Sequence, residues 1–175
     1  QATRVIFHRS RLQGSTRGNG AMTAVGLSGA ASAELLEQLG LSATISVAGH
    51  NSLRGATLAG HPDDLSVVEQ HLSAQRIFQK RLDLDYAFHS PAMVPIEQPL
   101  RAALSDLTPA PSRIPFYSAV SGDRLDGTEL DADYWWRNIR ERVGFEEATA
   151  AMVRDGINIY AEIGPHPVLK SYVSD

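Results

Sequence analysis

The sequence predicts an α/β protein built around a ferredoxin-like βαββαβ unit. Between residues 21 and 85, segments with strand and helix periods follow one another as strand, helix, strand, strand, helix, strand. Apolar residues make up 43% of the 175, enough to support a real core. After residue 89 the pattern changes to helical stretches separated by short strands and turn-rich linkers.

Each element has its own signal. Arg4 to Gln13 reads as a helix with Val5, Phe7 and Leu12 turned inward. Gly14 to Gly20, with Gly18, Ser15, Thr16 and Asn19, is a loop. Ala21 to Leu27 is the first strand. Ser28 or Gly29 starts a helix that carries Leu35, Leu36 and Leu39 at helical spacing and ends at Gly40. Ala43 to Ala48 is the second strand, Gly49 to Ser52 a turn, and Gly55 to Ala59 the third strand. Pro62, Asp63 and Asp64 open the second helix, with acids in its first turn and Leu65, Val68 and Leu72 inward. Phe78 to Asp85 is the fourth strand. Beyond it, Ala92 to Leu107 reads as a helix and Ile114 to Val120 as a strand that Pro115 confines to an edge or a strand start. Asp131 to Arg140 reads as a helix anchored by Tyr134 and Trp135, and Phe145 to Arg154 as another. Ile157 to Ile163 reads as a buried strand, and Val168 to Val173 as a last helix after the Gly164-Pro165-His166-Pro167 loop.

Composition narrows the function. Charged residues are 21% and the net charge is -4, which argues against nucleic acid as a partner. The absence of cysteine excludes disulfides, thiolate metal sites and a cysteine nucleophile. No apolar run reaches membrane-spanning length and no signal-peptide pattern is present, so a cytoplasmic protein is expected. His50, His61 and His71 lack ligand spacing, and no metal site is expected.

His89 stands at the end of the fourth strand, ahead of Ser90-Pro91 and a helix start. A side chain at such a reversal can face a cleft, and imidazole is suited to moving a proton near neutral pH. Ala87-Phe88-His89-Ser90-Pro91 resembles the catalytic-histidine motif of the acyltransferase domains of modular polyketide synthases. The other motifs of that family occur in its order: Arg9-Ser10-Arg11, Ile114-Pro115-Phe116-Tyr117-Ser118, Tyr134-Trp135-Trp136-Arg137-Asn138-Ile139-Arg140 and Glu162-Ile163-Gly164-Pro165-His166-Pro167-Val168-Leu169. The resemblance covers nearly the whole chain.

The resemblance implies a ferredoxin-like subdomain inserted in an α/β-hydrolase-like acyltransferase core, incomplete in this chain. Residues 1–20 and 87–175 would belong to the large subdomain and residues 21–86 to the small one. The implied reaction moves a malonyl-type unit from CoA, through an acyl-serine ester, to the phosphopantetheine thiol of an acyl carrier protein. No intrinsic cofactor is implied. The expected partners are malonyl-CoA, the carrier protein, the ketosynthase and other synthase domains, and an N-terminal part of the same domain. His89 matches the base, with its second ring nitrogen held by a backbone carbonyl near Glu162 to Pro165. Arg9 matches the arginine that pairs with the substrate carboxylate, a role suited to a planar guanidinium. Asn51 matches an asparagine beside the acyl pocket, although asparagine also favours turns for local reasons. The family's Gly-His-Ser-x-Gly nucleophile motif does not occur, so the chain alone is expected to be inactive.

Phe88 and Tyr86 bear on the acyl group. In the family, Phe just before the histidine accompanies malonyl use and Ser accompanies methylmalonyl use, whereas Tyr at the position of Tyr86 is common in the methylmalonyl form. Phe88 is expected to decide, because its ring fills the space an α-methyl would need. Gly26-Leu27-Ser28-Gly29-Ala30 sits between a strand and a helix, as a nucleophile elbow does, but Ser28 also suits a helix N-cap. His166, between two prolines, reads as structural. The alternatives are a non-catalytic docking module, a serine hydrolase using Ser28 and His89, and a domain that hydrolyses stalled acyl groups.

Overall fold

Residues 21–81 form a sheet backed by two helices in the computed structural model, which describes residues 1–164 and 166–174. The strands are β1 (Ala21–Val25), β2 (Ile45–Ser52), β3 (Gly55–Gly60) and β4 (Gln79–Arg81). β1 pairs antiparallel with both β3 and β4, and β2 pairs antiparallel with β3, giving the order β4-β1-β3-β2. This is the expected ferredoxin-like arrangement.

Alternation along the strands supplies one face to the helices α2 (Gly29–Gln38) and α3 (Pro62–Ala74). Ala21, Val25, Ile45, Ala56 and Leu58 pack there against Leu35, Leu36, Leu65, Val68 and Leu72. All five residues of β1 are buried, so its second face is covered too. Met22, Ala48 and Ala59 on that face meet Ala87, with Phe88 and Ala92 packed alongside. The segment that carries His89 is thus pressed onto the back of the sheet.

Gly60 shows how tightly the strand ends are joined. A methyl group there would lie 2.4 Å from the Thr44 carbonyl oxygen and 3.0 Å from the Ile45 Cα. Gly60→Ala is expected to cost about 1–3 kcal/mol through this overlap, read as a lower melting temperature; an unchanged melt would show that the β2–β3 junction yields freely.

The second core is helical. It joins α1 (Ala2–Gly14), a 3-10 turn at Pro91–Ile96, α4 (Glu97–Ala103) and α5 (Ala132–Arg140). Val5, Met93, Ile96, Leu100, Leu104, Trp136 and Ile139 fill it. A two-stranded ribbon, β5 (Phe116–Ser118) with β6 (Asp123–Leu125), lies apart from the main sheet. β7 (Val143–Gly144) pairs in parallel with Gly49 and His50 of β2, and so ties the helical part to the sheet. α6 (Phe145–Arg154) follows directly, and α7 (Lys170–Val173) is the last helix described.

Several expectations are corrected. Gly49 to Ser52 is not a turn: β2 runs through it with irregularities between Val47 and Gly49 and between His50 and Ser52. β4 stops at Arg81, because the Leu84 N–H bonds back to the Leu82 carbonyl and closes a tight turn. The helix expected from Ala92 starts as the 3-10 turn, where Pro95 supplies no N–H, and becomes α-helical only from Glu97. Phe7 is exposed rather than inward, and Trp136 rather than Trp135 is the fully packed tryptophan of α5. Ile157 to Ile163 is not a strand: among the described residues no strand lies beside it, and Ile159 and Ile163 are exposed. Pro165, in the loop before α7, lies outside the described residues.

Candidate active site

His89 is set by the turn that follows the sheet. Its backbone is left-handed, with φ of 58°, a conformation uncommon for residues other than glycine. Ser90 closes the turn: its hydroxyl donates to the Ala87 carbonyl at 2.6 Å and accepts from the Ala92 N–H at 3.2 Å. Pro91 then opens the 3-10 turn, where a missing N–H costs nothing.

The end of α5 supplies the acceptors. The last carbonyls of a helix have no partner within it. The Ile139 carbonyl takes the His89 backbone N–H at 3.2 Å, and the Glu141 carbonyl lies 2.8 Å from His89 Nδ1. A carbonyl only accepts, so Nδ1 carries the hydrogen and Nε2 of the neutral ring holds the lone pair. Burial pushes the His89 pKa below its ordinary value. The Glu141 bond opposes this shift, and the charge of Arg9 adds to it. Burial thus favours the neutral ring, whose Nε2 can accept a proton. The expected acceptor near Glu162 to Pro165 is corrected to Glu141, which the extended chain after α5 brings under the ring.

Arg9, on α1, reaches the same helical end. Its Nη1 donates to Asn138 Oδ1 at 2.6 Å and its Nε to Gln13 Oε1 at 3.2 Å. Among the described residues no carboxylate lies within ion-pair distance of Arg9. Burial pushes the guanidinium down from its ordinary pKa, with Tyr134 opposing. A half-buried cation held, among the described residues, by the side-chain amides of Gln13 and Asn138 retains donors for an anion.

Phe88 packs against both the helical core and the back of the sheet, and the Tyr86 ring stacks on it at 4.8 Å and 11°. Asn51 lies on β2 and donates to Thr57 Oγ1 at 2.9 Å. The structure thus joins Arg9 and His89 through α5 and stacks Tyr86 on Phe88, but it does not hydrogen-bond Asn51 to either Arg9 or His89. Ser28 caps α2 by accepting from the Ala31 N–H at 3.2 Å, and it makes no hydrogen bond to His89. His166 is exposed. Asn138 and Glu141 carry contacts that sequence reasoning assigned to no residue in this region. Asn138 lies within the Tyr134 to Arg140 motif, but its partner is 129 residues away.

Comparison with known proteins gives the family of the chain. The acyl transferase domain family matches residues 1–175. The chain belongs to the acyl transferase domain family. Erythronolide synthase EryA2 of Saccharopolyspora erythraea is 37% identical over 174 residues, 99% of this chain and 5% of that protein. Polyketide synthase GfsB of Streptomyces halstedii is 38% identical over 170 residues, covering 96% of this chain and 3% of its own length. The solved loading acyltransferase from the avermectin modular polyketide synthase superposes with a TM-score of 0.90 at 34% identity, covering 99% of this chain and 55% of that one. The acyltransferase domain from module 8 of the salinomycin polyketide synthase gives a TM-score of 0.94 at 29% identity, covering 99% and 40%. This acyl transferase chain therefore spans a small share of the curated synthases it matches and about half of the solved domains. Among its described residues no helix is long and apolar enough to cross a membrane.

Proposed function

We propose that this chain contributes the base and the carboxylate clamp to a site that transfers a malonyl-type unit from CoA to the phosphopantetheine thiol of an acyl carrier protein in polyketide biosynthesis. The observation that carries the reading is a histidine whose Nδ1 faces a backbone carbonyl and an arginine with no carboxylate partner among the described residues, both held by the end of one helix. His89 Nε2 takes the proton of an attacking serine hydroxyl as the serine oxygen bonds to the thioester carbon and the CoA thiolate leaves. That proton then passes to the thiolate. In the second half the carrier thiol gives its proton to His89, its sulfur attacks the serine ester, and the serine oxygen recovers the proton as it leaves.

In this reading the serine lies in an N-terminal part of the same domain, outside residues 1–175, and the chain alone does not turn over. Residues 21–86 act as the small subdomain, with residues 1–20 and 87–175 in the large one. Arg9 pairs with the free carboxylate of the acyl group, and Asn51 lines the approach to the pocket. The ketosynthase and the other synthase domains are the neighbours in the assembly, and the cytoplasm is the setting where acyl-CoA is available.

Phe88 selects malonyl over methylmalonyl. Stacking on Tyr86 fixes its ring, which supports Phe88 as the deciding residue and Tyr86 as its brace. The test is the intact mass of the full-length protein after mixing with malonyl-CoA or methylmalonyl-CoA. A malonyl adduct in preference to a methylmalonyl adduct is expected. Phe88→Ser should move the preference toward methylmalonyl within the roughly 10–200-fold range that one methyl group allows. No adduct with either substrate would sink the transferase reading, and an unmoved preference in the variant would sink the role of Phe88.

A further inference from the structure

Asn138, on α5, makes its side-chain contact with Arg9. Its Oδ1 accepts from Arg9 Nη1 at 2.6 Å, the shortest contact of the guanidinium. One residue later the Ile139 carbonyl holds the His89 backbone, and two further on the Glu141 carbonyl holds the His89 ring. A single turn of α5 therefore fixes two groups that arrive from distant parts of the chain.

We propose that Asn138 is a positioning residue that orients the Arg9 guanidinium toward the acyl carboxylate and fixes its distance from His89. The proposal rests on the clamp role of Arg9 given above. Arginine has several rotatable bonds, and a long side chain that must meet a carboxylate in two-point geometry gains from being held beforehand. An amide oxygen suits this task. It accepts one N–H without neutralising the cation, so the charge remains available to the substrate. Gln13, which accepts the Arg9 Nε at 3.2 Å, steadies the stem from the same helix. It cannot set the position of Arg9 relative to His89, because it sits on α1 with Arg9 itself. Of the hydrogen bonds of Arg9 among the described residues, the one to α5 spans the two elements.

The roles separate when acyl groups with and without a carboxylate are compared. Malonyl-CoA and acetyl-CoA would be assayed for transfer to a carrier protein with the full-length protein, and with its Asn138→Ala, Asn138→Asp and Arg9→Ala variants. Asn138→Ala is expected to lower kcat/KM for malonyl-CoA by about a hundredfold, the scale at which a small misplacement of a binding group acts, and to leave acetyl-CoA within a few-fold of its starting value. Asn138→Asp keeps the shape but pairs Arg9 with an internal anion. It should lose malonyl preference as Arg9→Ala does, with a raised KM for malonyl-CoA.

A purely structural role would lower both substrates equally, and that result overturns the proposal, as does unchanged malonyl transfer in the alanine variant. Should Asn138→Ala fail to fold, the isosteric Asn138→Asp decides alone: retained malonyl preference overturns the proposal. Failure of the underlying reading looks different. In that case Arg9→Ala itself keeps the malonyl preference, whatever the Asn138 variants do.

Discussion

Replacing His89 by alanine is expected to lower acyl transfer to a carrier protein by about a hundred- to ten-thousandfold, the usual contribution of a positioned general base. The measurement is single-turnover formation and discharge of the acyl-enzyme in the full-length protein. Both halves should slow, because one nitrogen handles the proton in each. The pH profile carries a second signature. In the proposed mechanism His89 acts in its neutral form, and burial, reinforced by Arg9, holds its pKa below the ordinary value. The acid limb of transfer should therefore fall below the ordinary histidine range near about 6.5. The sign for stability follows from the same shift. Below the unfolded value the unfolded chain binds the proton first, so this contribution to stability is present above that value and is lost as pH falls toward the folded one. His89→Ala should remove that slope. An acid limb above the ordinary histidine value, or a variant that transfers normally, would overturn the assignment.

Arg9→Ala is expected to have the second largest effect, and a selective one. Losing one partner of a desolvated, hydrogen-bonded charge pair costs roughly 2–5 kcal/mol. Transfer of malonyl groups should fall accordingly, while transfer of acetyl groups should not fall in parallel. The side chain also acts on the base. Since the Arg9 charge helps to depress His89, removing it should move the acid limb of acetyl transfer upward in pH. The two readouts are independent, one depending on contact with the substrate and the other on a field across the site. Equal losses for both acyl groups with an unmoved pH profile would reduce Arg9 to a packing residue of α1.

How much of this was legible in the sequence depends on where each signal lies. The four-stranded sheet was readable because short-range periods give the succession of elements, which matches the ferredoxin-like pattern, and α6 was read at its observed limits, Phe145–Arg154. Ile157 to Ile163 was misread because an apolar run reports only a wish to be covered. A strand also needs a neighbour to bond with, and none lies beside it among the described residues. The Gly49 to Ser52 stretch looked like a turn from its composition, yet pairing with β3 on one side and β7 on the other carries it through as strand. In the site, His89 and Arg9 were named from local motifs. The acceptor of the His89 ring was not, because a backbone carbonyl has no letter in the sequence: any residue at position 141 would offer one. Asn138 was visible as a letter but not as a contact, since only the packing of α1 against the end of α5 reveals what it holds.

The left-handed backbone at His89 has a consequence for how this position could evolve. An L-residue with a Cβ is disfavoured in that conformation by about 1–2 kcal/mol, a penalty that glycine avoids. The bonds to Ile139 and Glu141 offset it locally, but the preference of the bare backbone still points away from histidine. Selection for a sturdier chain and selection for a working base therefore pull on residue 89 in opposite directions. A lineage released from the need for chemistry would be free to drift there toward glycine or asparagine, with the turn intact and the ring gone.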